Sequence, residues 1–139
     1  MIEREDGRQA AGCHVKKIDA ITLGDGRTRL ELELYEIGSD LLAVLNGAGP
    51  HIGAATLAER VVDSPAHLTT LTSSGHREAE LTLELSNTIT NATGRRTLAI
   101  AGVHLDGITK AEIGSIRRSV RRLAALAAAR ISSTTRSAG

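Results

Sequence analysis

Asn46 to Gly53, reading Asn-Gly-Ala-Gly-Pro-His-Ile-Gly, is the densest run of chemically useful positions in the chain. Gly47, Gly49 and Gly53 permit positive φ and close backbone approach, and consecutive peptide N–H groups in such a loop form a nest for an anion such as phosphate. The same string also reads as an ordinary turn, being neither a Walker loop nor a GxGxxG ahead of a clear helix. His51, His76 and His104 each fall near the end of an expected strand, where loops gather, and three neutral imidazoles suit a divalent metal or a phosphate. No HxH or HExxH spacing joins them, so surface or hydrogen-bonded structural histidines are the plainer reading.

Two basic features stand beside these. Lys110 opens the last helix against a dipole that favours an anion, which points to an anionic ligand or simply to a solvated lysine. Arg117, Arg118, Arg121 and Arg122 lie opposite the apolar stripe of that helix, as a grip for an acidic partner or as a solvated face. The charge is lopsided: from Ile113 onward there are six Arg and no acid, while residues 1–112 hold 11 basic and 16 acidic residues. No nucleophile stands out. There is no GxSxG, Cys13 has no catalytic context, and capping explains Asp106 and Glu112. Spacing alone gives a binding module before an enzyme.

The elements that carry these residues are legible in outline. Gly24-Asp25-Gly26 is a tight turn between two strands, the second with Leu30, Leu32 and Leu34 on one face and Glu31, Glu33 and Tyr35 on the other. Leu41–Leu45 and Thr97–Val103 are apolar on both faces, as in strands covered on two sides. Residues 54–62 are a short helix or strand, and His67–Thr72 is a threonine-rich strand. Leu81, Leu85, Thr88, Ile89 and Ala92 give a helix of about four turns with a stop at Asn91–Gly94. Thr109 and Glu112 form a capping box that opens a helix to about Ile131, with Ile113, Ile116, Val120, Leu123, Ala127 and Ile131 as its stripe.

The expected fold is therefore α/β of the α+β kind: a single mixed or antiparallel sheet with two helices on one face. Residues 12–131 form one domain between a flexible N-terminus at 1–11 and a flexible tail at 132–139. Two helices cover one face of about four or five strands, which leaves the second face to another sheet or to a partner subunit, most economically a homodimer.

Composition excludes several classes. In 139 residues, 17 Lys+Arg stand against 16 Asp+Glu, a net charge of +1 that draws neither nucleic acid nor membrane. With no Phe or Trp and only Tyr35, the chain cannot stack successive bases, and a flat ligand must lie between aliphatic side chains, peptide planes or Arg. One cysteine excludes an internal disulfide framework, and no signal peptide or membrane-length apolar run is present, so the expected location is cytoplasmic.

Gly49-Pro50-His51-Ile52-Gly53 together with Ala101-Gly102-Val103-His104-Leu105-Asp106-Gly107-Ile108-Thr109-Lys110-Ala111-Glu112-Ile113 resembles the small D-type subunit of bacterial gallate-type hydroxyarylic-acid decarboxylase systems, of the prenylated-flavin chaperone family. The likeness runs from about Leu41 to Ile116 and includes Ser74-Gly75-His76. It implies a fold like the dimeric chaperones of proteasome assembly. It implies a non-catalytic carrier that binds prenylated FMN, or FMN itself, and delivers it to a prenylated-FMN-dependent aromatic-acid decarboxylase beside a flavin prenyltransferase. Gly47, Gly49, His51, Ile52, Gly53, His76, His104 and Lys110 would then hold the cofactor, and Arg117, Arg118, Arg121 and Arg122 would meet the partner. An assembly subunit that binds no small molecule, and a metal enzyme built on His51, His76 and His104, are the alternatives.

Overall fold

Alternation of leucine with glutamate makes Leu30–Ile37 (β2) a strand with one dry and one wet face, and it pairs on both edges. On one side it meets Lys16–Leu23 (β1) across the turn at Gly24–Thr28, with Gly24 and Gly26 at positive φ. On the other it meets Asp40–Asn46 (β3) through a two-residue hairpin, Ile37 facing Asp40 and Gly38 at φ 60°. The computed structural model describes residues 14–73 and 78–138, the last four of these as backbone only. Residues 1–11, Cys13 and His76, all named above, lie outside the described residues.

The remaining strands are Ala54–Glu59 (β4), His67–Thr72 (β5) and Thr97–Gly102 (β6), so the segment at 54–62 resolves as a strand. The sheet is mixed, six strands in the order β1-β2-β3-β6-β4-β5, with β3 and β6 its parallel pair. That is more than two helices were expected to cover, and they manage it by sharing the width. Ala79–Thr93 (α1) lies across β4, β6 and β5, and Lys110–Ala138 (α2) across β1 and β2. Leu30, Leu32, Leu34, Leu41, Ala43 and Leu45 fill the core from below, and Leu85, Ile89, Val120 and Leu123 from above.

The inner face of α1 differs from the expected stripe. Thr88 is half-buried and Ala92 exposed, while Thr82, Ser86 and Thr90 are buried beside Leu81, Leu85 and Ile89. These hydroxyls bury because each has a partner. Thr82 Oγ1 lies 2.8 Å from Thr56 Oγ1 of β4, which lies 2.9 Å from Thr70 Oγ1 of β5. Ser86 donates to the Thr82 carbonyl, and Thr90 to those of Ala58 and Arg95. Small side chains let the helix approach the sheet closely. Gly94, at φ 73°, ends the helix by donating its N–H to the Thr90 carbonyl.

Helix α2 continues past Ile131 to Ala138, so the segment at 132–139 is helical to that point and not a tail. Polar residues extend it without adding to the stripe, as Thr134 shows by donating its hydroxyl to the Arg130 carbonyl. Its start is the expected capping box. Thr109 N–H donates to Glu112 Oε1 and Glu112 N–H to Thr109 Oγ1. Arg27, from the β1–β2 turn, adds a fork of hydrogen bonds to both Glu112 oxygens and one to the Asp106 carbonyl.

The Thr109 N–H and then the Arg27 guanidinium hold the Glu112 carboxyl below the usual carboxylate range. A lowered carboxylate stabilises above its unfolded value and loses that contribution as pH falls through the folded one. Glu112→Gln is therefore expected to be less stable than wild type at neutral pH, with the gap closing in acid below the ordinary carboxylate range. Thermal unfolding followed across pH by circular dichroism measures this.

Candidate functional site

The loop from β3 to β4 crosses over the end of β6, and glycines make the crossing possible. A side chain on Gly102 would collide with the His51 carbonyl. At Gly49, φ is +59° and a Cβ would meet His104 Cβ at 3.1 Å, while the His104 N–H donates to the Ala48 carbonyl. Gly53 donates its N–H to the Ala101 carbonyl and accepts the Ser73 N–H. The Gly53 N–H is thus consumed by the fold, and so much of the loop's glycine content serves chain crossing.

The crossing sets His51 against Glu78, the residue that caps α1. Glu78 is 6% exposed; its carbonyl accepts the N–H groups of Leu81 and Thr82, and its carboxylate sits where the helix N-terminus favours negative charge. His51 Nε2 lies 3.2 Å from Glu78 Oε1, and its Nδ1 lies 2.7 Å from the Gly49 carbonyl oxygen. A carbonyl only accepts, so Nδ1 carries a hydrogen. The contact on the other nitrogen then needs one proton between Nε2 and Oε1. Gly53 makes room: a Cβ there would lie 2.5 Å from the Glu78 carboxylate.

Glu78 also forms part of the lining of a cavity of about 370 Å³ between the N-terminal turns of α1 and α2 and the segment after β6. Leu81, Val103, Leu105, Ile108, Ile113 and Ile116 make aliphatic walls, and Glu80, His104 and Arg117 are polar positions in the lining. A second cavity, also about 370 Å³, is lined by Arg27, Arg29, Asn46, Gly47 and Ala48 among others.

The residues singled out in the sequence distribute unevenly around this site. His104 lines the first cavity and offers Nε2 to Asp106 Oδ1 at 2.9 Å. Gly49, His51 and Gly53 stand behind the wall and fix it. Gly47 lines the second cavity, and Ile52, 72% exposed, is part of neither lining. Lys110 is exposed at the first turn of α2. Tyr35 stands on the far face of β2, its hydroxyl donating to Glu33, which also pairs with Lys17 at 2.7 Å. Those contacts hold the Glu33 carboxyl low and push the Lys17 and Tyr35 groups up. Among the described residues no group of three or more His, Cys, Asp or Glu is arranged for a metal.

The arginines divide in two. Arg117 pairs with Glu80 and Arg121 with Glu84, at 3.6 Å in the second case, so both fasten α2 to α1. Arg118 and Arg122 remain exposed on the outer side of the helix. Glu78 was not among the sequence candidates. It reaches His51 across 27 positions of chain, so no local spacing marks it. The usable signal was the glycine at Gly53, required by nothing in its own backbone angles.

A family model described as the prenylated flavin chaperone LpdD-like domain matches residues 24–132. Among solved structures, the chain is similar to one from a chaperone complex for yeast 20S proteasome assembly. The TM-score is 0.58 at 12% identity, over 78% of this chain and 90% of that one, which shows the likeness of fold. The expected α+β arrangement with two helices on a single sheet is thereby borne out. No curated protein matches. No helix among the described residues is long and apolar enough to cross a membrane.

Gly53→Ala is expected to destabilise the protein by about 1–3 kcal/mol through overpacking against Glu78. In a Glu78→Ala background the same change should cost well under half as much. Urea unfolding of the four proteins measures the coupling.

Proposed function

The chain belongs to the family of prenylated flavin chaperone LpdD-like domains, and from that membership we propose that it binds prenylated FMN and hands it to an aromatic-acid decarboxylase that depends on it. The observation that carries this reading is the cavity between the two helix N-termini. Its volume of about 370 Å³ lies in the range of small-molecule sites, and its aliphatic walls suit the ring and prenyl-derived carbons of such a cofactor. The residues fit the group: in a chain without Phe or Trp, Ile and Leu contacts take the place of aromatic stacking. The cofactor's own chemistry is spent in the decarboxylase, and the chaperone's part is to enclose and release it.

The phosphate needs a cation. Lys110 follows Ile108 of the cavity wall by two positions, is exposed, and has no ion pair among the described residues. We assign it to the phosphate, where the helix N-terminus adds its own preference for an anion. His104 completes the polar rim beside it.

Delivery needs surfaces. Arg118 and Arg122 offer exposed charge to an acidic patch of the decarboxylase. On the face of the sheet away from the helices, Leu42, Leu98 and Leu57 align in one row and Val44, Ile100, Ala55 and Leu71 in the next, with Leu71 73% exposed. Such a self-complementary apolar face favours a homodimer with two cofactor cavities on its outer sides. The gallate-type partner, the accompanying flavin prenyltransferase and the cytoplasmic setting belong to the same proposal.

Protein purified anaerobically from cells that co-express a flavin prenyltransferase should carry a flavin-type absorbance spectrum. A colourless product would overturn the carrier reading. Lys110→Ala should weaken FMN about tenfold and leave riboflavin, which lacks the phosphate, within about twofold of wild type, by calorimetry. Leu98→Asp should turn a dimer into a monomer in sedimentation.

A further inference from the structure

We propose that the Glu80–Arg117 pair in the lining of the first cavity reads the imide edge of the flavin ring, the C=O and N–H groups that lie side by side at its pyrimidine end. The inference rests on the flavin-binding reading above and adds the residues that fix which end of the ring points where.

Helix geometry sets the span. Lys110 and Arg117 stand on one face of α2, separated by two turns and about 10 Å along its axis. Between them Ile113 and Ile116 belong to the cavity wall, with Leu81 of α1 in the same lining. With the phosphate on Lys110, the ring lies over these aliphatic side chains and its polar edge arrives at Arg117. The other polar groups of the lining are already engaged, Glu78 by His51 and His104 by Asp106.

The pair keeps a free donor and a free acceptor next to each other. Arg117 donates its Nε–H to Glu80 Oε1 and one Nη2 hydrogen to Oε2, with Nη2 and Oε2 3.1 Å apart. Nη2 has a second hydrogen and Oε2 a further lone pair, and both point outward on the same side of the fork. A cyclic imide offers the complement, a carbonyl oxygen for the guanidinium N–H and an N–H for the carboxylate oxygen. Two charge-assisted hydrogen bonds then form at once. The pair is neutral as a whole and so matches an uncharged ring edge, while the anionic phosphate falls to Lys110.

Fastening the two helices does not by itself call for this pair. The Arg117 and Glu80 side chains are 51% and 53% exposed, and an ion pair that open adds little to stability. Arg121 and Glu84 repeat the contact one turn further along, at 3.6 Å and outside the cavity lining. What sets Glu80 and Arg117 apart from that outer rung is the cavity they both line.

The test titrates FMN and 3-methyl-FMN, in which a methyl group replaces the imide hydrogen, into the full-length protein. Wild type is expected to bind FMN about tenfold more tightly than the methylated form by calorimetry. Glu80→Ala and Arg117→Ala should each bring the two affinities within about twofold. Glu84→Ala, which breaks only the outer rung, should keep the difference of about tenfold. Equal affinity of wild type for both ligands, a difference that survives in both Glu80→Ala and Arg117→Ala, or its loss in Glu84→Ala would overturn the proposal while leaving flavin binding intact. Failure of wild type to bind either ligand would instead overturn the carrier reading on which it rests.

Discussion

The β3–β4 loop crosses over Gly102, the last residue of β6, which has no room for a side chain because the His51 carbonyl occupies it. Much of the site depends on that one steric fact. The crossing brings Gly49 against His104, carries His51 to the head of α1, and leaves Gly53 under the Glu78 carboxylate. Parallel pairing of β3 with β6 is what sets it up, since both strands run toward the same end of the sheet and finish at Asn46 and Gly102 in register. Loops that leave neighbouring parallel strands at the same end open a crevice there, and helix N-termini arrive at it by the same topology.

Much of the fold could be read from local pattern because local pattern is where its physics lies. A leucine–glutamate alternation fixes β2 whatever its neighbours do, and Thr109 with Glu112 satisfies helix N–H groups within one turn. Gly94 at the end of α1 is equally local. What escaped was decided across the chain. The buried hydroxyls of Thr82, Ser86 and Thr90 look like polar positions until β4 supplies Thr56 and the Ala58 carbonyl. The strand at Ala54–Glu59 has too little bulk to declare itself, and it becomes a strand because β6 and β5 pair with it on both edges. Glu78 reads as an ordinary helix-start acid, and its importance lies in an imidazole 27 positions earlier.

The two faces of the sheet divide the labour. Under the helices, side chains are nearly all enclosed, with Leu30, Leu32, Leu45 and Ala99 fully buried. On the open face, the β1–β2 end is a polar network of Lys17, Glu33 and Tyr35, and the β3–β6–β4 stretch is aliphatic. That asymmetry across one face would orient a partner, since an apolar half seeks cover and a charged half resists it. The charges on α2 are sorted in a similar way. Arg117 and Arg121 are spent on Glu80 and Glu84, which secures the roof of the cavity, and Arg118 and Arg122 face outward.

An aliphatic cavity has a consequence for how tightly a ring can be held. Aromatic stacking would add to affinity without regard to the charge on the ring edge. Walls of Ile108, Ile113, Ile116 and Leu105 supply area alone, so the share of discrimination that falls on polar contacts is larger. Few such contacts face this cavity, and two of them, Glu80 and Arg117, neutralise each other.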